Sequence, residues 1–290
     1  MTVVLATLLV GCSGSEANKA TLATSTDNTV NTKAKVTPEA KPAVSKPGEV
    51  PFDGMSGLPT AAKAGEIVLT VDENKLTEIR SGERDPTAIF QNRVMVEPGE
   101  LESEVEDSFK KRYKVPNALI IPVPKGQKAK AGDVVLTWWQ SGGGMMRGYV
   151  TEAANPSEPT VRYLGMSPRE DKSDKLKPDS FIVVNSEWSP GAVVASKDGN
   201  GTEFAYVLRV NGDKVLVSRF ARKMKVMPKA ELTPVSYKPV FKVGDEVKAA
   251  FFSSFDAATV VAIDPKSGKV TVKRKTGDEQ KDLDFGEVTK

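Results

Sequence analysis

The sequence predicts a mainly β protein, a string of small antiparallel barrels behind a disordered N-terminal tether, with one helix near residues 98–113. The first observation is a repeat. Lys63-Ala64-Gly65-Glu66-Ile67-Val68-Leu69-Thr70 returns as Lys130-Ala131-Gly132-Asp133-Val134-Val135-Leu136-Thr137, with looser copies at Ser189-Pro190-Gly191-Ala192-Val193-Val194 and Lys242-Val243-Gly244-Asp245-Glu246-Val247. Similarity at intervals of roughly fifty to seventy residues marks a reused supersecondary unit. Each copy sets a turn glycine ahead of a β-branched run, a turn feeding a strand. The second observation is that the last three copies keep two further anchors: Gly148-Tyr149-Val150, Ala205-Tyr206-Val207 and Ala258-Thr259-Val260, then Val161-Arg162-Tyr163, Val215-Leu216-Val217 and Val270-Thr271-Val272. Three short valine-rich strands per unit describe a small antiparallel barrel. The third is composition: Ser13 to about Thr60 is dominated by Ser, Thr, Ala, Lys, Asn and Pro, with no aromatic before Phe52.

In chain order, residues 1–12 carry an apolar run from Val3 that ends in Leu9-Val10-Gly11-Cys12, the only cysteine. The run is too short to span a bilayer and suits the apolar core of a signal peptide with small residues at its cleavage point. The four residues resemble the lipobox of bacterial lipoproteins, a resemblance that implies lipidation of Cys12 as the mature N-terminus. Met1-Thr2-Val3-Val4 lacks the basic opening of a signal peptide. Residues 13–60 form the tether, too poor in apolar surface to offset ordering entropy, with a reach on the order of 40 Å as a flexible coil.

Residues 61–127 are expected to form a β element containing Gly65 to Val71 and Ala118 to Val123, incomplete or decorated because the second anchor is missing, with the helix packed on it. That helix is read from Pro98 in the first turn, from Leu101, Val105, Phe109 and Tyr113 at four-residue spacing, and from charges running acidic then basic. Three barrels follow at 128–185, 186–236 and 237–290.

Val243-Gly244-Asp245-Glu246-Val247, then Phe255-Asp256-Ala257-Ala258-Thr259-Val260, then Gly268-Lys269-Val270-Thr271-Val272 resemble the Tudor and agenet branch of the SH3-like barrels. The resemblance implies the fold of the repeats. In that family an aromatic cage takes methylated lysine or arginine by cation–π attraction. Here Met145 and Met146 stand near the aromatic position of one barrel and Thr202 and Glu203 near that of the next, while the last keeps Phe255 alone, so cage-type recognition is not expected.

The chain has no histidine, which removes the commonest general base and metal ligand, and with Cys12 lipidated no thiol remains for catalysis, zinc or disulfides. No catalytic residue, metal site or cofactor is expected. Ser108-Phe109-Lys110-Lys111 matches the Ser-x-x-Lys of penicillin-recognising enzymes without its companion motifs, and Gly142-Gly143-Gly144 lacks the Lys-Ser or Lys-Thr of a phosphate loop. A net charge of +3, spread along the chain, does not argue for nucleic acid.

Trp138 and Trp139 point to opposite faces of their strand, so Trp139 is expected either to face outward or to be covered by a neighbouring unit. Facing outward with Tyr149, Met145, Met146 and Arg147, it would form an apolar contact patch. Arg219, Arg222 and Lys223 belong to the densest basic stretch, a solvated rim or a contact for an anionic partner. The expectation is therefore a non-enzymatic lipoprotein of the bacterial cell envelope, anchored in the membrane by lipid and placed at the outer membrane, facing the periplasm or the cell surface. Its barrels would serve as a scaffold or protein-interaction module; the alternative is an envelope polymer binder, for peptidoglycan or another glycan.

Overall fold

Four consecutive stretches of chain build the same five-strand arrangement, with strands in the spatial order 4-3-2-1-5 and every pair antiparallel. The computed structural model describes residues 46–82, 85–141, 144–165, 172–198, 201–236, 238, 241–251 and 254–290. The first unit consists of β1 (Ile67–Thr70), α1 (Glu73–Arg80), β2 (Gln91–Glu97), β3 (Glu102–Glu106), β4 (Arg112–Pro116) and β5 (Ile121–Pro122). The second holds β6 (Val134–Trp138), β7 (Met145–Glu152), β8 (Thr160–Tyr163), β9 (Ser173–Lys175) and β10 (Ile182–Val183). The third holds β11 (Val193–Asp198), β12 (Gly201–Asn211), β13 (Lys214–Ser218), β14 (Met224–Pro228) and β15 (Leu232–Val235), and the fourth β16 (Glu246–Phe251), β17 (Ser254–Asp264), β18 (Lys269–Arg274), β19 (Gln280–Asp284) and β20 (Val288–Thr289). A single pairing, Glu203 of β12 with Ser254 of β17, joins the last two sets into one ten-stranded sheet.

The repeated motif has a repeated physical role. Gly65, Gly132, Gly191 and Gly244 all take φ between +77° and +91°, a left-handed turn that other residues reach only at a cost. Each glycine donates its N–H to the second strand of its own unit, at Met95, Val150, Val207 and Val260, over 2.8 to 2.9 Å. In three units the following acid closes the turn, Glu66 accepting from the Lys63 N–H, Asp133 from Lys130 and Asp245 from Lys242. Just past each of these contacts the second strand carries a one-residue register shift, at Met95/Glu97, Val150/Glu152, Val207/Arg209 and Val260/Ala262. Such a bulge bends and twists the strand, which lets one small sheet curl over its own core.

Three expectations need correction. Residues 98–113 are not a helix but a short connection after β2 followed by β3, its turn and the start of β4, and the α-helix among the described residues is α1. Leu101, Val105, Phe109 and Tyr113 share one parity as well as a four-residue spacing, so they fit an alternating strand equally well; Ser103, Val105, Tyr113 and Val115 point inward. Asp107 turns the chain by accepting the N–H groups of Phe109 and Lys111 at 2.8 and 2.9 Å. The second anchor is also present, so the first unit is decorated and not incomplete: Arg93-Val94-Met95 fills that place, displaced along the sequence by α1 and its flanking loops. Finally, the end of the expected tether is folded. Val50, Phe52, Met55 and Leu58 are buried, and the carbonyls of Gly54 and Pro59 accept from Asn211 and Arg209. Cys12 and the tether up to residue 45 lie outside the described residues.

The units share their cores. β6 is buried on both faces. Val135 packs inward on Val150, Val161 and Phe181 of its own unit, whereas Leu136 and Trp138 join a cluster with the first unit and with Leu208, Leu216 and Met224 of the third. Val134 and Tyr149 continue instead into the cores of the third and fourth units.

Candidate functional site

The expected contact patch around Trp139 is dispersed by the alternation of β7. Met145 turns toward the first unit, where its N–H donates to the Phe90 carbonyl at 2.6 Å, while Met146 packs on the core of its own unit. Arg147 and Tyr149 are buried, which is a correction to their placement on an open surface. The Arg147 guanidinium lies 5.2 Å from the Tyr206 ring centre, and the Tyr149 hydroxyl donates to the Pro265 carbonyl at 2.5 Å with its ring edge-on to Phe285. Trp139 is half-buried and carries the Lys172 ammonium 4.3 Å from its ring centre. Trp138, not Trp139, reaches the neighbouring unit.

Beside Tyr149, a buried ion pair ties the second unit to the fourth. Arg162 Nη2 donates to Asp284 Oδ1 at 2.7 Å, and the Gly165 N–H reaches the other carboxylate oxygen at 2.6 Å. Burial, and next the Asp284 carboxylate, hold Glu287 above the usual carboxylate range, and burial pushes the Tyr206 hydroxyl up to about 12. Both groups face Arg147 of the second unit, in the joints between units.

The basic stretch divides. Arg219 is drawn in by Glu203, with Nε to Oε2 at 2.8 Å, whereas Arg222 and Lys223 stay exposed on a tight turn whose backbone is held by the first unit. Ala88 N–H donates to the Arg222 carbonyl and Met224 N–H to the Pro86 carbonyl.

A cleft of about 640 Å³ lies where the edge strands β15 and β20 meet the segments that lead into the third and fourth units. Its aromatic walls are Trp188 and Phe241, both half-buried; Asn185, Ser186 and Ser236 add polar groups, and Lys229 stands 5.2 Å from the Trp188 ring centre. Ser189 fixes one lip by accepting the Ser186 N–H at 3.1 Å and donating to Asn185 Oδ1 at 3.0 Å. Sequence reading missed these aromatics, although a signal existed. Trp188 and Phe241 each stand three residues ahead of a turn glycine, where the first two units carry Ala62 and Ala129, both buried. Small residues there let the wall close, and large ones prop it open. The volume falls within the usual range for ligand clefts. The donors and acceptors are neutral or cationic, apart from Glu187, which suits binding rather than proton transfer.

No protein-family model and no curated protein matches the chain. Among solved structures it is similar to the AGD34 portion of AGDP1 from Arabidopsis thaliana, at 20% identity over 36% of this chain and 82% of that one, with a TM-score of 0.23. It is also similar to tandem Agenet domains 3-4 of ADCP1, at 19% identity over 36% of this chain and 79% of that one, with a TM-score of 0.21. Both matches cover about the span of two units. What the structure itself shows of the repeats is four small antiparallel sheets of one strand order.

Proposed function

We propose that this chain is a non-enzymatic envelope lipoprotein whose four linked barrels form a protein-interaction scaffold, with lipid on Cys12 as its membrane anchor and the outer membrane as its place. The observation that carries the reading is the cleft between β15 and β20. Two sheet edges and two aromatic walls are held at fixed spacing by units that share a core, an arrangement suited to an extended peptide segment that adds to an edge and seats apolar side chains on the rings.

The test is photo-crosslinking from Ser236 in envelope membranes. A protein adduct that disappears in a Trp188→Ala, Phe241→Ala variant that still unfolds in one cooperative transition supports the scaffold; both rings pack in part on the shared core, so some loss of melting temperature is expected. Sedimentation with purified sacculi, lost in that variant while no protein adduct forms, replaces it with the polymer-binding alternative, for which the same aromatics would serve as stacking platforms.

A further inference from the structure

Two of the exposed aromatics occupy equivalent places in different units. Phe109 lies in the turn from the third to the fourth strand of the first unit and is 89% exposed; Phe220 lies in the same turn of the third unit and is 58% exposed. Both turns use left-handed backbone at non-glycine residues, Lys110 at φ 66° in the first, and Ala221 and Arg222 at 56° and 62° in the second. Two consecutive left-handed residues that both carry side chains are an uncommon and costly conformation, kept only where the surroundings impose it. Here the first unit imposes it through residues 86–88, by the two backbone hydrogen bonds to Arg222 and Met224 and the bridge from Thr87 to Lys223.

The charges around the two rings differ. Near Phe109, Lys110 and Arg112 both pair with Glu106 and Lys111 pairs with Glu73, so acids cancel bases. Near Phe220, Arg219 alone has a carboxylate, Glu203; Arg222, Lys223 and Lys225 are exposed and have no ion-pair partner among the described residues. We infer that the Arg219–Lys223 turn is a docking point for the surface of an anionic lipid bilayer, with Phe220 entering the interface and Arg222, Lys223 and Lys225 lying against the headgroups. A soluble polyanion would need only the cations. An aromatic held outward among them is what a headgroup boundary accommodates, and each basic residue near such a surface adds attraction. The contact is separate from the proposed lipid on Cys12 and stands or falls without it.

The test uses the full chain with Cys12→Ser, so that no acyl chain contributes, and vesicles of phosphatidylcholine either alone or mixed with phosphatidylglycerol. The protein is expected to bind the mixed vesicles and not the neutral ones, less so as salt is raised. Arg222→Gln and Lys223→Gln should each weaken binding roughly fivefold. Phe220→Ser should weaken it by at least as much, Phe220→Leu should restore it, and Phe109→Ser should leave it unchanged, all at unaltered melting temperature. Equal binding to neutral vesicles, no binding to either, or an effect of Phe109→Ser as large as that of Phe220→Ser overturns the inference. So does loss on removing the cations with none on removing Phe220, which would point to a soluble polyanion instead.

Discussion

Trp138 and Trp188 show what this architecture does with one residue type in two settings. Trp138 ends the first strand of its unit at 7% exposure, inside a cluster to which three units contribute. Trp188 stands ahead of the first strand of the next unit, half-buried, with one face against the cleft and Lys229 over its ring. The first ring closes a joint and the second leaves a wall open. A string of barrels this small needs the first kind, because domains of about 60 residues hide only about 60% of their unfolded surface. What remains open after the joints are closed is where a partner can act.

The contrast can be broken at several points. Trp138→Ala should be the most damaging, at about 3–5 kcal/mol, since it empties a cluster shared by three units; a loss under about 1 kcal/mol in thermal unfolding would show that the joint is loose. Arg162→Ala leaves Asp284 buried without its counter-charge and should cost about 3 kcal/mol. Removing both charges with uncharged residues of similar size should recover most of that loss, a double-mutant cycle that sets the pair's own worth apart from the cost of an orphaned carboxylate. Tyr149→Phe removes the hydroxyl's bond to the Pro265 carbonyl, which water can take over because Pro265 is exposed, and should cost about 0.5–1.5 kcal/mol.

Glu287 gives a pH-dependent case. Its carboxyl is raised in the folded protein, so over the range just above the ordinary glutamate value the folded state binds the extra proton, and stability falls as pH rises through that range. Glu287→Gln should therefore melt higher than the parent at neutral pH, with the gap closing as pH drops below the ordinary glutamate range. A gap independent of pH would mean that Glu287 is not raised. A smaller loss than at the joint is expected at the cleft: Trp188 packs on the shared core with only part of its ring, so Trp188→Ala should cost about 1–2 kcal/mol. A loss as large as that of Trp138→Ala would abolish the distinction.

The same contrast marks how much could be read from the residues alone. The turn glycines and the valine anchors were legible because they act locally, each fixing a backbone conformation or a strand within a few positions. The β3–β4 hairpin was misread because a four-residue spacing is a multiple of two and nearly one helical turn, and only the Asp107 turn at its centre decides between them. Helix α1 did carry a start signal, Asp72, whose carboxylate accepts the Lys75 N–H at 2.8 Å, but its apolar residues Leu76 and Ile79 are too few to show a period. The tether's end was misplaced because Phe52 and Met55 find their partners in other parts of the chain, a long-range fact. For the same reason nothing local distinguished Arg147 and Tyr149, which close joints, from Trp188, which borders a cleft. The position of Trp188 relative to its glycine was visible, but its meaning appears only when the four units are superposed in thought and alanine is found in the other two.

That the four units form one body through shared cores is tested most directly by calorimetric unfolding of the full chain beside its Trp138→Ala variant. The account predicts one transition, with calorimetric and van't Hoff enthalpies equal, that moves down as a whole in the variant. Two or more transitions, of which Trp138→Ala shifts one and leaves the others in place, would contradict it.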